Sequence, residues 1–146
     1  MRVALIQMPV VPDKAANIRT ACEKVREAAA NGADFAVLPE MFCCPYDNAC
    51  FRAYGEGAEG EAQMALSHLA GELGIYIVGG SLPELAEDKV YNTSYVYGRD
   101  GRQLARHRKL HLFDIDVVGG QRFRESDTLS PGSSITTFET DFGLMG

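Results

Sequence analysis

The 146-residue sequence lacks both a hydrophobic run long enough to cross a membrane and an excess of positive charge. A membrane-spanning helix needs about 18 consecutive apolar residues, and the apolar start of this chain is interrupted at Gln7, Pro9 and Pro12. With no small-residue cleavage site behind it, this start does not fit a secretory signal peptide either. The 14 Lys and Arg residues are outnumbered by 20 Asp and Glu residues. That balance excludes a general nucleic-acid binder, because phosphate contacts need basic side chains.

Cysteine is also scarce, and the four cysteines show no disulfide or metal-binding pattern. Cys22 falls on the apolar face of a predicted helix, where a thiol behaves as a small hydrophobic group. Cys43 and Cys44 are adjacent, so a bridge between them would be strained. These two and Cys50 lack the two-residue spacing of a zinc knuckle. We therefore expect free thiols, no bound metal and a cytoplasmic location, where thiols stay reduced.

The first forty residues predict a strand–helix–strand unit. Val3 to Ile6 form a continuous apolar run, which is typical of a strand buried on both faces. A helix is predicted between Asp13, as its N-cap, and Gly32, as its terminator, because apolar residues recur there at helical spacing. Phe35 to Leu38 form a second apolar run. Two strands joined by a helix should lie parallel in one sheet.

The rest of the chain predicts a second helix and more strands. The helix covers Glu61 to Leu73 and ends at Gly74. Three further strands are indicated, at residues 75–78, 91–97 and 102–108, the last two as a hairpin. Residues 112–131 show little periodicity and predict a long ordered loop with room for a helical turn, and strand character returns at 134–139 and 143–146. We expect one α/β domain over residues 1–146, built on a mixed sheet with flanking helices.

Three charged residues are candidates for chemistry because of their positions. Glu40 comes directly after a buried strand, at the sheet edge where open α/β proteins bind their ligands. Lys109 follows the predicted hairpin, and Glu125 lies in the irregular segment after it. Each also has a plain structural interpretation: a solvated loop acid, an exposed basic turn, and a surface carboxylate paired with Arg122 and Arg124. None of the three decides the function alone.

Four stretches of sequence together resemble the nitrilase, or carbon–nitrogen hydrolase, superfamily. They are Leu38-Pro39-Glu40-Met41-Phe42, Gly79-Gly80-Ser81-Leu82-Pro83-Glu84, Tyr91-Asn92-Thr93 and Arg108-Lys109-Leu110-His111-Leu112-Phe113-Asp114-Ile115-Asp116. Residues 112–116 and 123–132 are most similar to ω-amidases. The resemblance implies the N-terminal half of an αββα sandwich, a homodimer, and thiol-dependent hydrolysis of a small amide without a cofactor. For ω-amidases, that amide is a 2-oxo-dicarboxylic acid monoamide, which is converted to the acid and ammonia.

The resemblance also implies a role for individual residues. Glu40 matches the general base that takes the proton from the nucleophilic thiol. Lys109 matches the lysine that stabilises the negative charge of the tetrahedral intermediate, and Glu125 matches the second glutamate, which orients the lysine and the substrate amide. Tyr46 matches a position beside the substrate pocket. Such a set suits the reaction, because a cysteine attacks as a thiolate and the developing oxyanion needs a nearby cation.

The nucleophilic cysteine of the resembled family has no counterpart in the sequence. Cys43 and Cys44 lie in a loop where ω-amidases often have Asn and Ser, and the family's Gly-x-x-Cys would place the nucleophile about four residues beyond Gly146. The leading hypothesis is therefore the N-terminal part of an amidase. A non-catalytic binding or dimerisation module is one alternative, and another hydrolase of the superfamily, such as a carbamoyl-amine hydrolase or a nitrilase, is the other.

A prediction concerns association. If the polypeptide ends at Gly146, its last strand has no neighbour and the apolar faces of the strand–helix–strand units are only partly covered. An exposed strand edge of this kind promotes pairing between chains, so we expect the isolated polypeptide to oligomerise or aggregate. NMR line widths and calorimetry test this expectation, and a well-dispersed monomer that melts cooperatively would contradict it.

Overall fold

The computed structural model describes all of residues 1–146 and is built on a six-stranded mixed sheet. Its strands are β1 (Val3–Leu5), β2 (Phe35–Val37), β3 (Tyr76–Val78), β4 (Leu82–Ala86), β5 (Lys89–Tyr97) and β6 (Gln103–Arg108). The first three lie parallel, side by side, which confirms the predicted strand–helix–strand arrangement. β5 runs antiparallel to its three neighbours. β3 and β4 both pair with one edge of β5, and β6 pairs with its other edge.

Two long helices pack on one face of this sheet. Helix α1 (Lys14–Ala30) begins at Asp13, whose carboxylate accepts a hydrogen bond from the Ala16 amide at 2.9 Å. Gly32, at φ +77°, turns the chain out of that helix. Helix α3 (Glu61–Leu73) ends at Gly74 in the left-handed conformation. Both helices and their terminators match the prediction, because cap residues are a local signal. No helix in the structure has the combined length and hydropathy that crossing a membrane requires.

The alternation of side chains along the strands gives the sheet two unlike faces. The face under α1 and α3, here called the helix face, carries the main hydrophobic core, which includes Ala36, Ile77 and Tyr95. The opposite face, here called the open face, carries a partly exposed apolar groove of about 510 Å³. Val37 and Val78 lie in this groove. All the candidate chemistry described below lies on the open side.

The first strand is less buried than its sequence indicates. The prediction that β1 is buried on both faces is wrong, since Val3 is 44% and Leu5 79% exposed. β1 is an edge strand of the sheet and pairs only with β2. The helices cover the side bearing Ile6 but leave the other side open.

Several short elements escaped the sequence analysis. Helix α2 (Asn48–Tyr54) and strand β4 were not predicted, and residues 112–131 are more than a loop. That segment contains the antiparallel pair β7 (Asp114–Asp116) and β8 (Arg122–Arg124), followed by a 3₁₀ turn at Glu125–Asp127. Strands β9 (Phe138–Thr140) and β10 (Gly143–Met145), by contrast, overlap the predicted strand segments 134–139 and 143–146, and they form a separate hairpin near the end of the chain. The expectation that the last strand has no neighbour is wrong, because β10 pairs with β9. The missed elements α2, β4, β7 and β8 are short segments whose sequences show no measurable period.

The loops that follow β2 and β3 touch at Gly80. This residue has φ +53°, and a side-chain carbon at its position would lie 2.0 Å from the carbonyl oxygen of Pro39. Glycine is therefore required both for the left-handed conformation and for the close approach of two backbones. The contact fixes the segment that carries Glu40, the residue after Pro39.

We predict that Gly80→Ala destabilises the fold more than Gly74→Ala. Both glycines have a positive φ, and alanine in the left-handed conformation costs about 1–2 kcal/mol at either. Only Gly80 faces a backbone oxygen, whereas Gly74 has no atom within 4 Å of the added carbon. Overpacking adds about 1–3 kcal/mol, so chemical denaturation should separate the two variants by at least about 1 kcal/mol. Equal losses in the free energy of unfolding would contradict the proposed backbone contact.

Candidate functional site

Glu40 lies at the carboxyl end of β2, on a loop that is held by β3 and its following residues. The next residue, Met41, has φ +50°, an uncommon conformation for a residue with a side chain. Its amide donates to the Ser81 hydroxyl at 3.0 Å, and the Phe42 amide donates to the Ser81 carbonyl at 3.2 Å. These bonds hold the turn in place and leave the Glu40 side chain 48% exposed. The carboxylate is therefore both fixed and accessible.

Lys109 directly follows β6 and reaches Glu40 across the end of the sheet. Its amide donates to the Asn92 carbonyl at 2.8 Å, and its carbonyl accepts from the Gly132 amide at 2.9 Å. The ammonium lies 2.8 Å from Glu40 Oε1 and 3.0 Å from Glu125 Oε2. Partial burial lowers the pKa of Lys109, but the hydrogen bonds to both carboxylates outweigh this and raise it above its ordinary value. Lys109 is therefore a fixed cation and not an exposed basic turn.

Glu125 begins the 3₁₀ turn and has no solvent-accessible surface. Its carboxylate accepts hydrogen bonds from the Phe113 amide, the Tyr46 hydroxyl and the Lys109 ammonium. Burial raises the pKa of Glu125, but these three donors outweigh burial and hold the pKa below its ordinary value. The alternative of a surface carboxylate paired with neighbouring arginines is wrong. Arg124 instead lies 3.6 Å from Asp114.

Tyr46 connects the buried carboxylate to the aromatic residues around it. Its hydroxyl donates to Glu125 Oε1 at 2.5 Å. Its ring lies edge-on to Phe51 and tilted against Phe123, with centroids 5.6 Å away in each case. Burial and the hydrogen bond to Glu125 raise the pKa of Tyr46, so its phenol keeps the proton that it donates. The structure thus brings all four candidate side chains, Glu40, Lys109, Glu125 and Tyr46, into one chain of contacts.

Asn92 belongs to this cluster and was missed as an individual site residue. Its side-chain amide donates to Glu40 Oε1 at 2.7 Å, and the residue is only 2% exposed. Asn92 lies on β5, where its side chain points to the open face like that of Ser94. The sequence feature that could have indicated Asn92 is its polar amide side chain, at a strand position between Tyr91 and Thr93. Nothing in the strand itself shows which carboxylate such an amide would contact.

The cluster borders an open cleft of about 570 Å³. Its walls combine apolar and hydrogen-bonding side chains, namely Val37, Leu38, Glu40, Val78, Gly80, Ser81, Asn92, Ser94, His107, Lys109, Leu110 and His111. Glu40 is the one acidic residue among them, and it is paired with Lys109. No group of three or more His, Cys, Asp or Glu side chains is arranged to hold a metal ion.

The cysteines closest to Glu40 in sequence do not enter the cleft. Cys43 is completely buried in the main core, and Cys44 is 1% exposed in a smaller core with Phe51 and Leu129. Burial raises the pKa of each thiol to about 12. A thiol with such a pKa is protonated near neutral pH and is a poor nucleophile.

Comparison with known proteins identifies the family. Residues 2–146 match the carbon-nitrogen hydrolase family. The chain belongs to this family. A solved structure of Saccharomyces cerevisiae Nit3, a member of branch 10 of the nitrilase superfamily, superposes with a TM-score of 0.84 at 38% identity, over 97% of this chain and 52% of that protein. The expected nitrilase-like α/β fold is therefore confirmed.

The curated relatives that the chain resembles include ω-amidases. The chain is 49% identical to Omega-amidase NIT2 of Xenopus tropicalis and 50% identical to Omega-amidase NIT2 of Mus musculus, each over 145 residues. These alignments cover 99% of this chain and 52% of each relative. The chain thus spans about half the length of the curated relatives that it matches.

Removing the Tyr46 hydroxyl should weaken the response of stability to acid. The stability that Glu125 contributes is present above the ordinary glutamate pKa of about 4.3 and is lost as pH falls through its lowered folded-state pKa. Tyr46→Phe removes one donor, so the folded-state pKa rises and this contribution shrinks. We expect a loss of about 1.5 kcal/mol at pH 7 and a flatter decline below pH ~5, measured by urea denaturation at several pH values.

Tyr54→Phe is the matched control, because the Tyr54 side chain packs in the same aromatic region against the smaller core. Its hydroxyl makes no hydrogen bond to Glu125, whose contacts come from elsewhere. The control should retain the acid dependence of the unaltered protein. An equal flattening in both variants would show that the Tyr46 hydroxyl does not act through Glu125.

Proposed function

We propose that this chain supplies the acid–base and electrostatic part of a thiol-dependent amidase site. The observation that carries the proposal is the Lys109 ammonium, which is held 2.8 Å from an accessible Glu40 and 3.0 Å from an inaccessible Glu125. Membership of the carbon-nitrogen hydrolase family and the similarity to ω-amidases support it. In this proposal, the two carboxylates have different roles because their environments differ.

Glu40 acts as the general base and then as the general acid. Its accessible side chain borders the cleft, so it is able to accept the proton of a thiol as the sulfur attacks the amide carbon. The same proton then passes to the departing nitrogen, and ammonia leaves with formation of a thioester. In the second half of the reaction, Glu40 takes a proton from water, which hydrolyses the thioester and regenerates the thiol. Asn92 holds Glu40 at the required position.

Lys109 supplies positive charge beside the oxyanion of each tetrahedral intermediate. A fixed cation costs no reorganisation when the negative charge develops, which makes such a group effective in a partly dry site. Glu125 keeps the ammonium in place and is itself held by Tyr46 and the Phe113 amide. Because Glu125 is inaccessible, its role is to orient Lys109, and through Lys109 the substrate amide, and not to exchange protons with solvent.

The nucleophile in this proposal is a cysteine about four residues beyond Gly146, which is the position expected from the resemblance to the family. Cys43 and Cys44 are poor alternatives, since both are buried and have pKa values near 12. Gly146 borders the apolar groove of the open face, and this groove shares Val37, Val78 and His107 with the cleft beside Glu40. A segment that continued from Gly146 would therefore start next to the proposed site.

The proposed substrate is a 2-oxo-dicarboxylic acid monoamide. A substrate with a free carboxylate would meet Lys109 and two histidines in the cleft, and the single acid there is already paired. This lining does not repel an anion, and it agrees with the similarity to ω-amidases. A cytoplasmic homodimer belongs to the same proposal and stays a prediction.

The test uses the protein extended past Gly146, with ammonia release from 2-oxoglutaramate as the measurement. Glu40→Gln removes the base and should lower kcat by about 10²–10⁴-fold. Lys109→Met removes the cation and should lower it by about 10²–10³-fold. Cys43→Ser and Cys44→Ser are the matched thiol controls and should both retain activity. Complete loss in either control, with the fold intact by circular dichroism, would overturn the placement of the nucleophile.

Two outcomes of this experiment would favour the alternative functions. Turnover of a carbamoyl amine or a nitrile, without ammonia release from 2-oxoglutaramate, would indicate another hydrolase of the superfamily. A stop codon directly after Gly146 in the coding DNA, with no thiol in the cleft, would indicate a non-catalytic module.

A further inference from the structure

A second charged cluster lies on the helix face of the sheet, directly behind the candidate site. At its centre is Glu84 on β4, which is only 4% exposed. Its carboxylate accepts hydrogen bonds from Thr93 Oγ1 at 2.7 Å, from Arg108 Nε at 2.8 Å and from Arg108 Nη2 at 2.7 Å. A longer contact of 3.2 Å comes from Arg106. The arginine fork therefore binds the carboxylate through two nitrogens, which is the most directional form of this interaction.

The partners of Glu84 are the immediate chain neighbours of two site residues. Thr93 follows Asn92 on β5, and Arg108 precedes Lys109 at the end of β6. Thr93 and Arg108 are paired across the two strands, and the Lys109 amide continues this ladder by donating to the Asn92 carbonyl. Successive side chains of a strand point to opposite faces. The cluster on the helix face and the site on the open face are thus two sides of one short length of backbone.

The side chains of the two site residues on this length of backbone, Asn92 and Lys109, contact the same oxygen of Glu40. Asn92 Nδ2 and Lys109 Nζ donate to Glu40 Oε1 at 2.7 and 2.8 Å. β6 pairs with no strand other than β5, and the backbone just past its end is bonded on the outer side by a loop residue, through the 2.9 Å bond from the Gly132 amide to the Lys109 carbonyl. The Arg108 side chain holds that end from behind, since its guanidinium binds Glu84 and lies 3.7 Å from the centre of the Tyr91 ring.

We propose that Glu84 is a positioning residue for the candidate site: by binding Thr93 and Arg108, it fixes the β5–β6 register at which Asn92 and Lys109 meet Glu40. Glu84 contacts no substrate and acts through the backbone. Although burial raises its pKa, the hydrogen bonds from Arg108 and Thr93 outweigh that effect, so Glu84 remains charged at neutral pH. The plain alternative is a charge cluster that stabilises the sheet without affecting the site.

The decisive experiment compares the pKa of Lys109 in Glu84→Gln and Arg108→Gln. The pKa is measured from the side-chain carbon signals of isotope-labelled lysine by NMR. Charge alone predicts opposite effects: loss of a negative Glu84 lowers the Lys109 pKa, and loss of a positive Arg108 raises it. Positioning predicts the same effect for both, because a misplaced ammonium loses the carboxylates that raise its pKa. We expect both variants to lower the pKa of Lys109 by about 0.5 or more.

Glu56→Gln is the matched control for a buried carboxylate. Glu56 is 5% exposed and adjoins β4, but its carboxylate binds Lys14 and the Ala62 amide at the start of α3. This variant should leave the Lys109 pKa unchanged. A rise in Arg108→Gln, no change in Glu84→Gln, or an equal fall in Glu56→Gln would each overturn the proposal.

Amide hydrogen exchange separates local loosening from general destabilisation. If Glu84 positions the site, the charge variants Glu84→Gln and Arg108→Gln should accelerate exchange more at the Lys109 amide than at the Gly98 amide. The Gly98 amide closes the other end of the same hairpin with a 2.9 Å bond to the Arg102 carbonyl. Equal acceleration at both amides would contradict a local role. If a charge variant does not fold, Thr93→Val takes its place, because it removes one bond to Glu84 and keeps a β-branched side chain on the strand. No change at Lys109 in that variant would overturn the proposal.

The activity arm rests on the proposed function, whereas the NMR measurements do not. In the extended protein, Glu84→Gln should lower kcat on 2-oxoglutaramate by about tenfold or more with little change in KM, because small misplacements of reacting groups slow the chemical step. If no variant or parent protein shows activity, the amidase proposal fails and the pKa and exchange results still decide the role of Glu84. Normal kcat in a folded Glu84→Gln would overturn the positioning role.

Discussion

The Lys109 ammonium connects three segments that are distant in sequence, and the open side of the molecule is organised around it. One carboxylate comes from the loop after β2 and the other from the 3₁₀ turn at residue 125, while the lysine itself follows β6. A cation between two carboxylates is stable only when all three groups are held, since each loses hydration on approaching the others. The Gly80 contact, the Phe113 amide and the Asn92 side chain provide this support.

The helix face of the sheet carries the groups that stabilise the fold, and the open face carries the candidate site. The helix face carries the main apolar core and, beside it, the charged groups around Glu84 and Glu56. The open face carries Asn92, Lys109 and an apolar groove. Because the side chains of a strand alternate, each residue of β5 and β6 near the site has a neighbour on the opposite face. In the proposed role of Glu84, this shared backbone is the route by which a charged cluster on the helix face holds the site on the open face.

Much of the fold follows from local patterns. The caps at Asp13 and Gly74, the apolar runs of β2 and β3, and the hairpin of β5 and β6 were all predicted, because each has its signal within a few neighbouring residues. The exposure of β1 was not predicted, since an apolar run gives no information on whether another layer covers its second face. Helix α2, strand β4 and the β7–β8 pair were missed because these short segments show no measurable period.

The candidate site, like the fold, was predictable from the sequence only in part. The sequence alone determined which acids and which lysine deserved attention, through their position after strands and the family motifs around them. Only the tertiary structure decided that Glu125 is inaccessible, that Asn92 donates to Glu40, and that Cys43 and Cys44 are confined to cores. The physical reason is distance along the chain: 69 residues separate Lys109 from Glu40, and 79 separate Tyr46 from Glu125. Hydrogen bonds and burial depend on contacts that the whole sheet must first bring together.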